Sequence, residues 1–314
     1  SEQTMIAAGI PFFYPRSIHD IIPMGLQAFA LSRHAGCCVG LKITVDSADT
    51  SAVVNLDQIR PTITLPDPPA NVHVGRHDPA LLRESRLFTQ RLPAVASFQQ
   101  TNRINQPSSS GAQSGKLGLI AVGKAYLETI DALESLGIKD PAKAGIGLVP
   151  VVMPWPLTPH SLVAFCLEFD EVMVIEEKRP IVEEQLARAL VNVSTHAALS
   201  GKNTPDGLEL LPETGEITHQ RLMTAIAARC AARNITVPHA PAGAVALPSL
   251  PAIPTRTPWY CAGCPHNSST KLPDGEIVGM GIGCHSISGF LTPDEITNFT
   301  QMGGEGAFWI GRAP

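Results

Sequence analysis

The heptapeptide L-G-L-I-A-V-G at residues 117–123 decides the fold class of this chain. Residues 117–122 form a short apolar run that ends at a glycine, which predicts a buried strand followed by a turn. Residues 125–136 then carry apolar side chains at helical spacing and stop before Gly137, which predicts an amphipathic helix with a glycine cap. A buried strand that leads directly into a helix is typical of an α/β fold with a parallel sheet.

The strand–helix pattern repeats in the residues that follow. Residues 147–153 and 172–178 predict two more strands, and a helix is expected after each, to about Glu168 and over residues 180–190. Three such repeats predict a small doubly wound domain over residues 116–200.

A shorter version of the pattern lies at the start of the chain. Residues 10–15 and 37–46 are apolar and predict two strands, and Ser17 begins a helical pattern between them. Strand, helix and strand at this spacing predict a βαβ unit, which makes residues 1–57 the end of an α/β domain.

The intervening stretches are rich in proline. Residues 58–115 predict a linker with one helix near residues 81–92. Residues 201–254 predict a helix capped by Thr218 and then a Pro/Ala linker. The chain is therefore expected to hold several parallel-sheet α/β domains joined by proline-rich linkers, with the first and last domains incomplete.

Composition excludes several classes of function. The chain has 314 residues, of which 44% are hydrophobic and 16% charged, and its net charge is −5. Scattered Lys and Arg and a negative net charge argue against nucleic acid and anionic membranes as partners. No apolar run reaches the roughly 18 residues of a membrane span, and no signal peptide opens the chain. The seven cysteines include a vicinal pair, Cys37 and Cys38, which suits a reducing cytoplasm better than a secreted disulfide framework.

Three cysteines in residues 255–314 are the candidate metal ligands. Cys261 and Cys264 form a C-x-x-C pair, and Cys284 follows twenty residues later in the turn G-I-G-C-H. A C-x-x-C loop turns both sulfurs toward one point, and a third cysteine in a glycine-bounded turn can reach the same point. Thiolates bind either tetrahedral zinc or an iron–sulfur cluster, and the spacing leaves both open. The fourth ligand is either distant or missing.

Histidines and glycines beside these cysteines are the candidate cofactor contacts. His266 and His285 each lie within two residues of a cysteine, and both are alternatively ordinary turn residues. Gly283 precedes Cys284, and the later run M-G-G-E-G contains Gly303, Gly304 and Glu305. Paired glycines let a backbone approach a ligand closely, although they also occur in ordinary tight turns.

Three blocks of this segment resemble a known family. C-A-G-C-P-H-N-S-S-T at 261–270, G-I-G-C-H at 281–285 and M-G-G-E-G-A-F-W-I-G at 302–311 resemble the start of the thiamine-diphosphate-binding domain of indolepyruvate:ferredoxin oxidoreductases. The likeness is to the long fused form, within the 2-oxoacid:ferredoxin oxidoreductase superfamily. Residues 10–57 resemble the end of its pyrimidine-binding domain, and residues 116–190 resemble its transketolase-C-terminal-like domain.

The resemblance implies thiamine-enzyme-type domains and an activity. It implies oxidative decarboxylation of an arylpyruvate through thiamine diphosphate and Mg²⁺, with coenzyme A accepting the acyl group. Electrons pass to ferredoxin through a [4Fe–4S] cluster held by Cys261, Cys264 and Cys284. The expected partners are ferredoxin, the remaining domains of the enzyme and a second copy of the protein.

The resemblance also implies that this chain is a piece of a longer protein. The fourth cluster ligand and the magnesium motif are expected after Pro314, and the glutamate that activates thiamine before Ser1. We therefore expect the piece to be inactive alone. The alternative is a non-catalytic module stabilised by zinc or an iron–sulfur cluster, or a degenerate paralogue. The sequence does not indicate which 2-oxoacid is used.

Two further groups are predicted to be structural. Cys37, Cys38, Cys166 and Cys230 lie in apolar surroundings and are predicted to be core residues. The charged run at residues 176–179 is predicted to be a solvated strand end, with a contact between domains as its alternative.

Overall fold

The structure, a computed structural model, is built on parallel β-sheets. It describes residues 2–55, 59–67, 69–107, 115–194, 197–239 and 256–312. The chain divides into two units, residues 1–242 and 243–314. The α/β class with parallel sheets is thereby confirmed, while the five domain boundaries stay predictions.

The first unit alternates strands and helices along most of its length. Its elements in chain order are α1 (Glu2–Ala7), β1 (Phe12–Phe13), α2 (Ile18–Ala35), β2 (Gly40–Leu41), α3 (Val45–Ala48), α4 (Ala80–Arg86), a π-helical turn (Leu87–Arg91), α5 (Leu92–Thr101), β3 (Gly115–Val122), α6 (Ala125–Ser135), β4 (Ile146–Val151), α7 (His160–Cys166), β5 (Phe169–Ile175), α8 (Val182–Leu190), β6 (Ala198–Ser200) and α9 (His219–Ala232).

The main sheet of this unit has four parallel strands in the order β4-β3-β5-β6. Strand β3 lies in the middle and pairs with β4 on one side and β5 on the other. Alternate residues of β3 enter two different cores. Leu117 and Leu119 pack with α6 and α9, whereas Ile120 and Val122 pack with α7 and α8. This burial on both faces is why the strand is apolar throughout, and it confirms the predicted doubly wound arrangement.

Gly118 in the middle strand makes room for aromatic side chains. A Cβ atom at this position would lie 2.9 Å from the Phe165 ring and 3.0 Å from the Phe169 ring. These two rings pack against each other with centroids 4.7 Å apart. A glycine inside a strand is therefore explained here by close packing.

A third core joins the start of the chain to the main sheet. Phe13 of β1, Leu31 of α2, Phe98 of α5 and Met153 after β4 all belong to this core. Strands β1 and β2 pair in parallel around α2, as the predicted βαβ unit requires. Asn105 connects this core to β4, because its side-chain amide donates to the carbonyl of Met153 at 2.7 Å.

Two sequence predictions for this region are wrong in part. The strand predicted at residues 37–46 is reduced to Gly40–Leu41, and Val45–Ala48 is helical instead. The linker predicted at residues 58–115 contains a continuous helical segment from residue 80 to residue 101. Val95 and Phe98 in that segment are fully buried, so the segment is part of a core. The prolines around it had indicated a linker instead.

Helix α9 is fastened to the main sheet by a buried ion pair. Glu171 of β5 is fully buried, and its carboxylate accepts from the Arg229 guanidinium at 2.6 and 2.8 Å and from Arg233 Nε at 2.7 Å. The Ser200 hydroxyl of β6 also donates to Glu171, at 2.7 Å. Burial opposes ionisation of Glu171, but these hydrogen bonds outweigh burial and lower its pKa.

The second unit contains a small parallel sheet of its own. Its elements are α10 (His266–Ser269), β7 (Val278–Gly281), a 3₁₀ turn (Cys284–Ile287), α11 (Ser288–Leu291), a second 3₁₀ turn (Pro293–Glu295), β8 (Ile296–Thr300) and α12 (Ala307–Arg312). Strands β7 and β8 pair in parallel. The Pro/Ala linker predicted before this unit lies mostly outside the described residues.

Across the described ranges, no helix combines the length and the apolar composition that crossing a bilayer requires.

Candidate functional site

The two glycine-rich turns of the second unit lie at the same edge of its sheet. Because β7 and β8 are parallel, the turn 281–285 after β7 and the turn 302–306 after β8 both follow carboxyl ends of strands. Ligands of α/β sheets bind at this edge. Glu305 closes the gap between the turns, since a Cβ atom added to Gly281 would meet the Glu305 side chain at 2.6 Å.

The C-x-x-C pair lies in a turn just before α10. The backbone N–H of Cys264 donates to the carbonyl of Cys261 at 3.0 Å, and Gly263 between them has a φ of 75°. Cys264 Sγ lies 3.1 Å from His266 Nδ1, within hydrogen-bonding distance for sulfur. His266 therefore contacts a candidate ligand directly, and its predicted contact with a cofactor stays a prediction.

Tyr260 connects the C-x-x-C turn to the turn after β7. Its ring stacks on the His266 ring, with centroids 5.4 Å apart and an interplanar angle of 21°. Its hydroxyl donates to the carbonyl of His285 at 3.2 Å. Since His285 follows Cys284 directly, this residue joins the two segments that carry the three cysteines. Sequence reasoning missed Tyr260, although it directly precedes Cys261.

The His285 ring faces its own turn. Its Nε2 accepts from the backbone N–H of Gly281 at 3.1 Å, which leaves Nδ1 as the ring nitrogen available to a ligand. Gly283 has a φ of 151°, a backbone conformation that L side chains rarely adopt. Both residues thus shape the turn around Cys284, and their contact with a cofactor stays a prediction.

The glycines after β8 differ from each other. Gly303 is exposed, has a φ of 87° and has open space where a Cβ atom would be. Gly304 is buried, and its backbone N–H donates to the carbonyl of Gln301 at 2.9 Å. Its N–H is therefore used within the turn, so Gly303 is the better placed of the two for close approach by a ligand.

The three candidate metal ligands are free thiols on neighbouring turns. Cys261 and Cys284 are exposed, and Cys264 is partly buried. Among the described residues, no three His, Cys, Asp or Glu side chains converge closely enough to hold a metal ion. The chemistry of the donor set fits a thiolate-bound metal group, but its coordination rests on residue type and not on distances.

The other cysteines largely match their predicted structural role. Cys166 and Cys230 are buried, and burial raises their thiol pKa values to about 12 and about 11. Cys37 is partly buried, with its pKa raised to about 11, mainly by burial. Cys38 is exposed, so the core prediction is wrong for this residue, because the predicted strand forms only at Gly40–Leu41 and does not include Cys38.

The carboxyl edge of the four-stranded sheet carries a charged cluster that sequence reasoning missed. Lys124 follows β3 and is buried, and its ammonium lies 2.8 Å from Glu216, 2.9 Å from Asp46, 3.2 Å from Glu177 and 3.4 Å from Glu128. Burial opposes the charge on Lys124, but hydrogen bonds to Glu216 and Asp46 outweigh burial and raise its pKa. In the sequence, the sign of this cluster was a lysine directly after Gly123, the glycine that follows β3.

Part of the charged run at residues 176–179 is buried, so its interpretation as a solvated strand end is wrong there. Glu176 is only 3% exposed, and it accepts from the backbone N–H groups of Val182 at 2.9 Å and Glu183 at 3.0 Å. These donors lie at the start of α8, where the helix dipole also favours a carboxylate. Burial nevertheless raises the pKa of Glu176 to about 7.

We expect the Glu176 carboxyl to make stability fall as pH rises. Its folded pKa of about 7 lies above the ordinary 4.5, so its proton stabilises the folded state below pH 4.5 and is lost as pH approaches 7. The lost stability is up to roughly 3 kcal/mol. The free energy of unfolding of Glu176→Gln, measured with urea, should therefore rise relative to that of wild type between pH 5 and pH 8. Exposed Glu184 on α8 supplies the control, Glu184→Gln. Parallel pH curves for wild type and Glu176→Gln would contradict this account.

Comparison with known proteins finds similarity to one family. The family model described as an indolepyruvate oxidoreductase domain matches residues 108–247. The chain is 25% identical over 305 residues to indolepyruvate oxidoreductase subunit IorA of Thermococcus kodakarensis, which covers 91% of this chain and 44% of that protein. It is 26% identical over 299 residues to the same subunit of Methanothermobacter thermautotrophicus, and this match covers 89% of this chain and 44% of that protein. The chain thus spans less than half the length of these relatives.

Similarity to solved structures is lower. A 2-oxoglutarate:ferredoxin oxidoreductase from Magnetococcus marinus matches with 13% identity and a TM-score of 0.40, covering 70% of this chain and 42% of that chain.

Proposed function

We propose that this chain forms part of an enzyme that oxidises 2-oxoacids, because it matches the model of an indolepyruvate oxidoreductase domain and is similar to indolepyruvate oxidoreductase subunits. The substrate is an arylpyruvate such as indolepyruvate, ferredoxin takes the electrons, and coenzyme A takes the acyl group. The observation that carries the proposal is the shared edge of β7 and β8, where a cysteine turn and the Gly303–Gly304–Glu305 turn meet.

Each group at this edge has a proposed part. Thiamine diphosphate, when bound with Mg²⁺, supplies the carbon nucleophile for decarboxylation and leaves electrons to be removed. Gly303 lets the backbone approach the cofactor, and Glu305 and the imidazoles of His266 and His285 line its surroundings. Cys261, Cys264 and Cys284 hold a [4Fe–4S] cluster whose fourth ligand lies elsewhere in the protein.

The rest of the enzyme completes the site. The chain spans 44% of the length of its Thermococcus relative. We propose that the groups that bind the diphosphate and activate thiamine belong to other parts of the assembly. We propose that residues 1–57, 116–200 and 255–314 serve as the pyrimidine-side, transketolase-C-terminal-like and cluster-side regions. A homo-oligomer in the cytoplasm is the proposed assembly.

The test is metal analysis together with a coupled assay. The protein is expressed anaerobically from its complete reading frame, with any subunits that co-purify. We expect iron and acid-labile sulfide, and ferredoxin reduction that requires indolepyruvate, thiamine diphosphate and coenzyme A. Wild-type protein that holds the cluster and thiamine diphosphate but reduces no ferredoxin with any arylpyruvate would exclude the proposed activity.

Serine variants of the three cysteines make the proposal specific. Cys261→Ser, Cys264→Ser and Cys284→Ser should each lose most of the iron and at least about 100-fold in ferredoxin reduction, because a missing ligand destabilises the cluster. Cys38→Ser is the matched control, since Cys38 is also exposed but lies in the first unit. Equal iron content in all four variants would argue against a cysteine-bound cluster.

One observation favours a second candidate, a non-catalytic zinc module. Cys264 Sγ and His266 Nδ1 lie 3.1 Å apart, and thiolate with imidazole is a common zinc ligand set. One equivalent of zinc without acid-labile sulfide would support this candidate in place of the oxidoreductase.

A further inference from the structure

We infer that Tyr260 is a positioning residue that holds the two cysteine-bearing turns together around their common ligand. The inference rests on the proposed function, because it assumes that Cys261, Cys264 and Cys284 bind one metal group. Tyr260 is 7% exposed, whereas Cys261, which follows it in sequence, and Cys284, which precedes its hydrogen-bond partner His285, are exposed. This buried side chain contacts both cysteine-bearing turns, through His266 in one and His285 in the other.

The turn that Tyr260 contacts is already held by its own hydrogen bonds. The carbonyl of His285 accepts from the Ser288 hydroxyl at 2.7 Å, and the Ser286 hydroxyl donates to Gly283 at 2.6 Å. The His285 ring accepts from the Gly281 N–H. The position of Cys284 relative to β7 is therefore set within this turn.

The C-x-x-C segment is ordered in a similar way. Asn267 donates to the carbonyl of Cys261 at 3.1 Å, and His266 contacts the Cys264 sulfur. The stack of Tyr260 on His266 adds an aromatic contact to this segment.

One bond links the two ordered segments. Within the described residues, the hydrogen bond from the Tyr260 hydroxyl to the His285 carbonyl is the one that joins the C-x-x-C segment, residues 260–270, to the turn at residues 281–288. It acts across 25 residues of chain. Without it, each turn keeps its internal hydrogen bonds, but the distance from Cys284 to the C-x-x-C pair is less restricted.

The test compares Tyr260→Phe with wild type in the full-length protein. Loss of one hydrogen bond should speed iron loss to a chelator about 5- to 10-fold, and it should change the reduction potential and the EPR spectrum of the reduced cluster. The urea midpoint of the first unit should not change. Tyr260→Leu also removes the stack on His266 and should lose iron faster still.

Tyr126→Phe is the control, because it removes a phenol hydroxyl in the first unit, far along the chain from the cysteines. The inference would be overturned if Tyr260→Phe lost iron at the same rate as wild type and gave the same EPR spectrum.

Failure of the proposed function gives a different result. If wild type holds zinc without sulfide, the oxidoreductase proposal fails, and the rate of zinc removal by EDTA from wild type and Tyr260→Phe tests the tyrosine. If wild type holds neither metal, added Co²⁺ is the probe. Equal removal rates or equal Co²⁺ affinities would refute the role of Tyr260 in either case.

Discussion

Glu171→Ala is expected to lower the free energy of unfolding by about 3–5 kcal/mol, the largest stability effect of any substitution proposed for this protein. Its carboxylate is fully buried, while Arg229 and Arg233 have side chains only 11% and 27% exposed. Removal of the carboxylate leaves two guanidinium groups without their counter-ion beside β5. Helix α9, which covers one face of the main sheet, would lose its fastening to the strands.

The pH dependence of Glu171 has a definite sign. Its pKa is lowered in the folded protein, so its contribution is present above the ordinary carboxyl pKa and is lost as pH falls. The difference between wild type and Glu171→Ala should therefore shrink below about pH 4.

Urea unfolding followed by circular dichroism measures the effect of Glu171→Ala. Glu171→Gln keeps the shape and one carbonyl acceptor, so it should cost less. Glu134→Ala, an exposed carboxylate on α6, is the matched control and should change stability by less than about 0.5 kcal/mol. A loss below 1 kcal/mol for Glu171→Ala would mean that the two arginines find other partners.

Lys124→Met is expected to lower the free energy of unfolding by about 2–4 kcal/mol at neutral pH, the second largest effect. Methionine retains an apolar side chain of similar length but removes the ammonium that lies within 3.4 Å of four carboxylates. Asp46 and Glu216 have side chains 62% exposed and can turn to water. Glu177 has a side chain that is 9% exposed and cannot turn to water, so it should account for most of the lost free energy of unfolding.

Acid should reduce the penalty of Lys124→Met. Burial raises the pKa of Glu128, so this carboxyl takes up a proton early as pH falls and the repulsion in the variant decreases. We expect the loss at pH 4.5 to be less than half of the loss at pH 7.5. Lys139→Met, an exposed lysine on the same unit, is the control. A penalty that is the same at both pH values would indicate lost packing instead of lost charge.

The main sheet could be predicted from the sequence because each of its strands is specified by the pattern of a few consecutive residues. Residues 117–122 are apolar at every position except Gly118, and a strand buried on both faces requires that pattern. The C-terminal cap of α2 is local in the same way, since Gly36 has a φ of 65° that glycine adopts without strain. Such features depend on a few neighbouring residues.

Features that depend on distant residues were not predicted. Lys124 and Asp46 are 78 residues apart, and Glu171 and Arg233 are 62 apart, so no local pattern connects them. The strand predicted at residues 37–46 failed where Asp46 enters a short helix and pairs with Lys124.

The candidate site shows the same division. Cysteine and glycine spacing identified Cys261, Cys264, Cys284 and the glycine turns from the sequence alone. The Tyr260 hydroxyl contact with His285 could not be read from it, because a single tyrosine has no motif.

The junction between the start of the chain and the main sheet restricts how genes of this kind can recombine. The Phe12 N–H donates to Trp155 at 3.0 Å, the Tyr14 N–H to Val152 at 2.8 Å, and Asn105 binds Met153. A hybrid that inherited residues up to 107 from one parent and the sheet from another would have to keep the backbone at residues 152–155 in place for all three of these donors. The two regions are therefore expected to be inherited together, although their sequences read as separate domains.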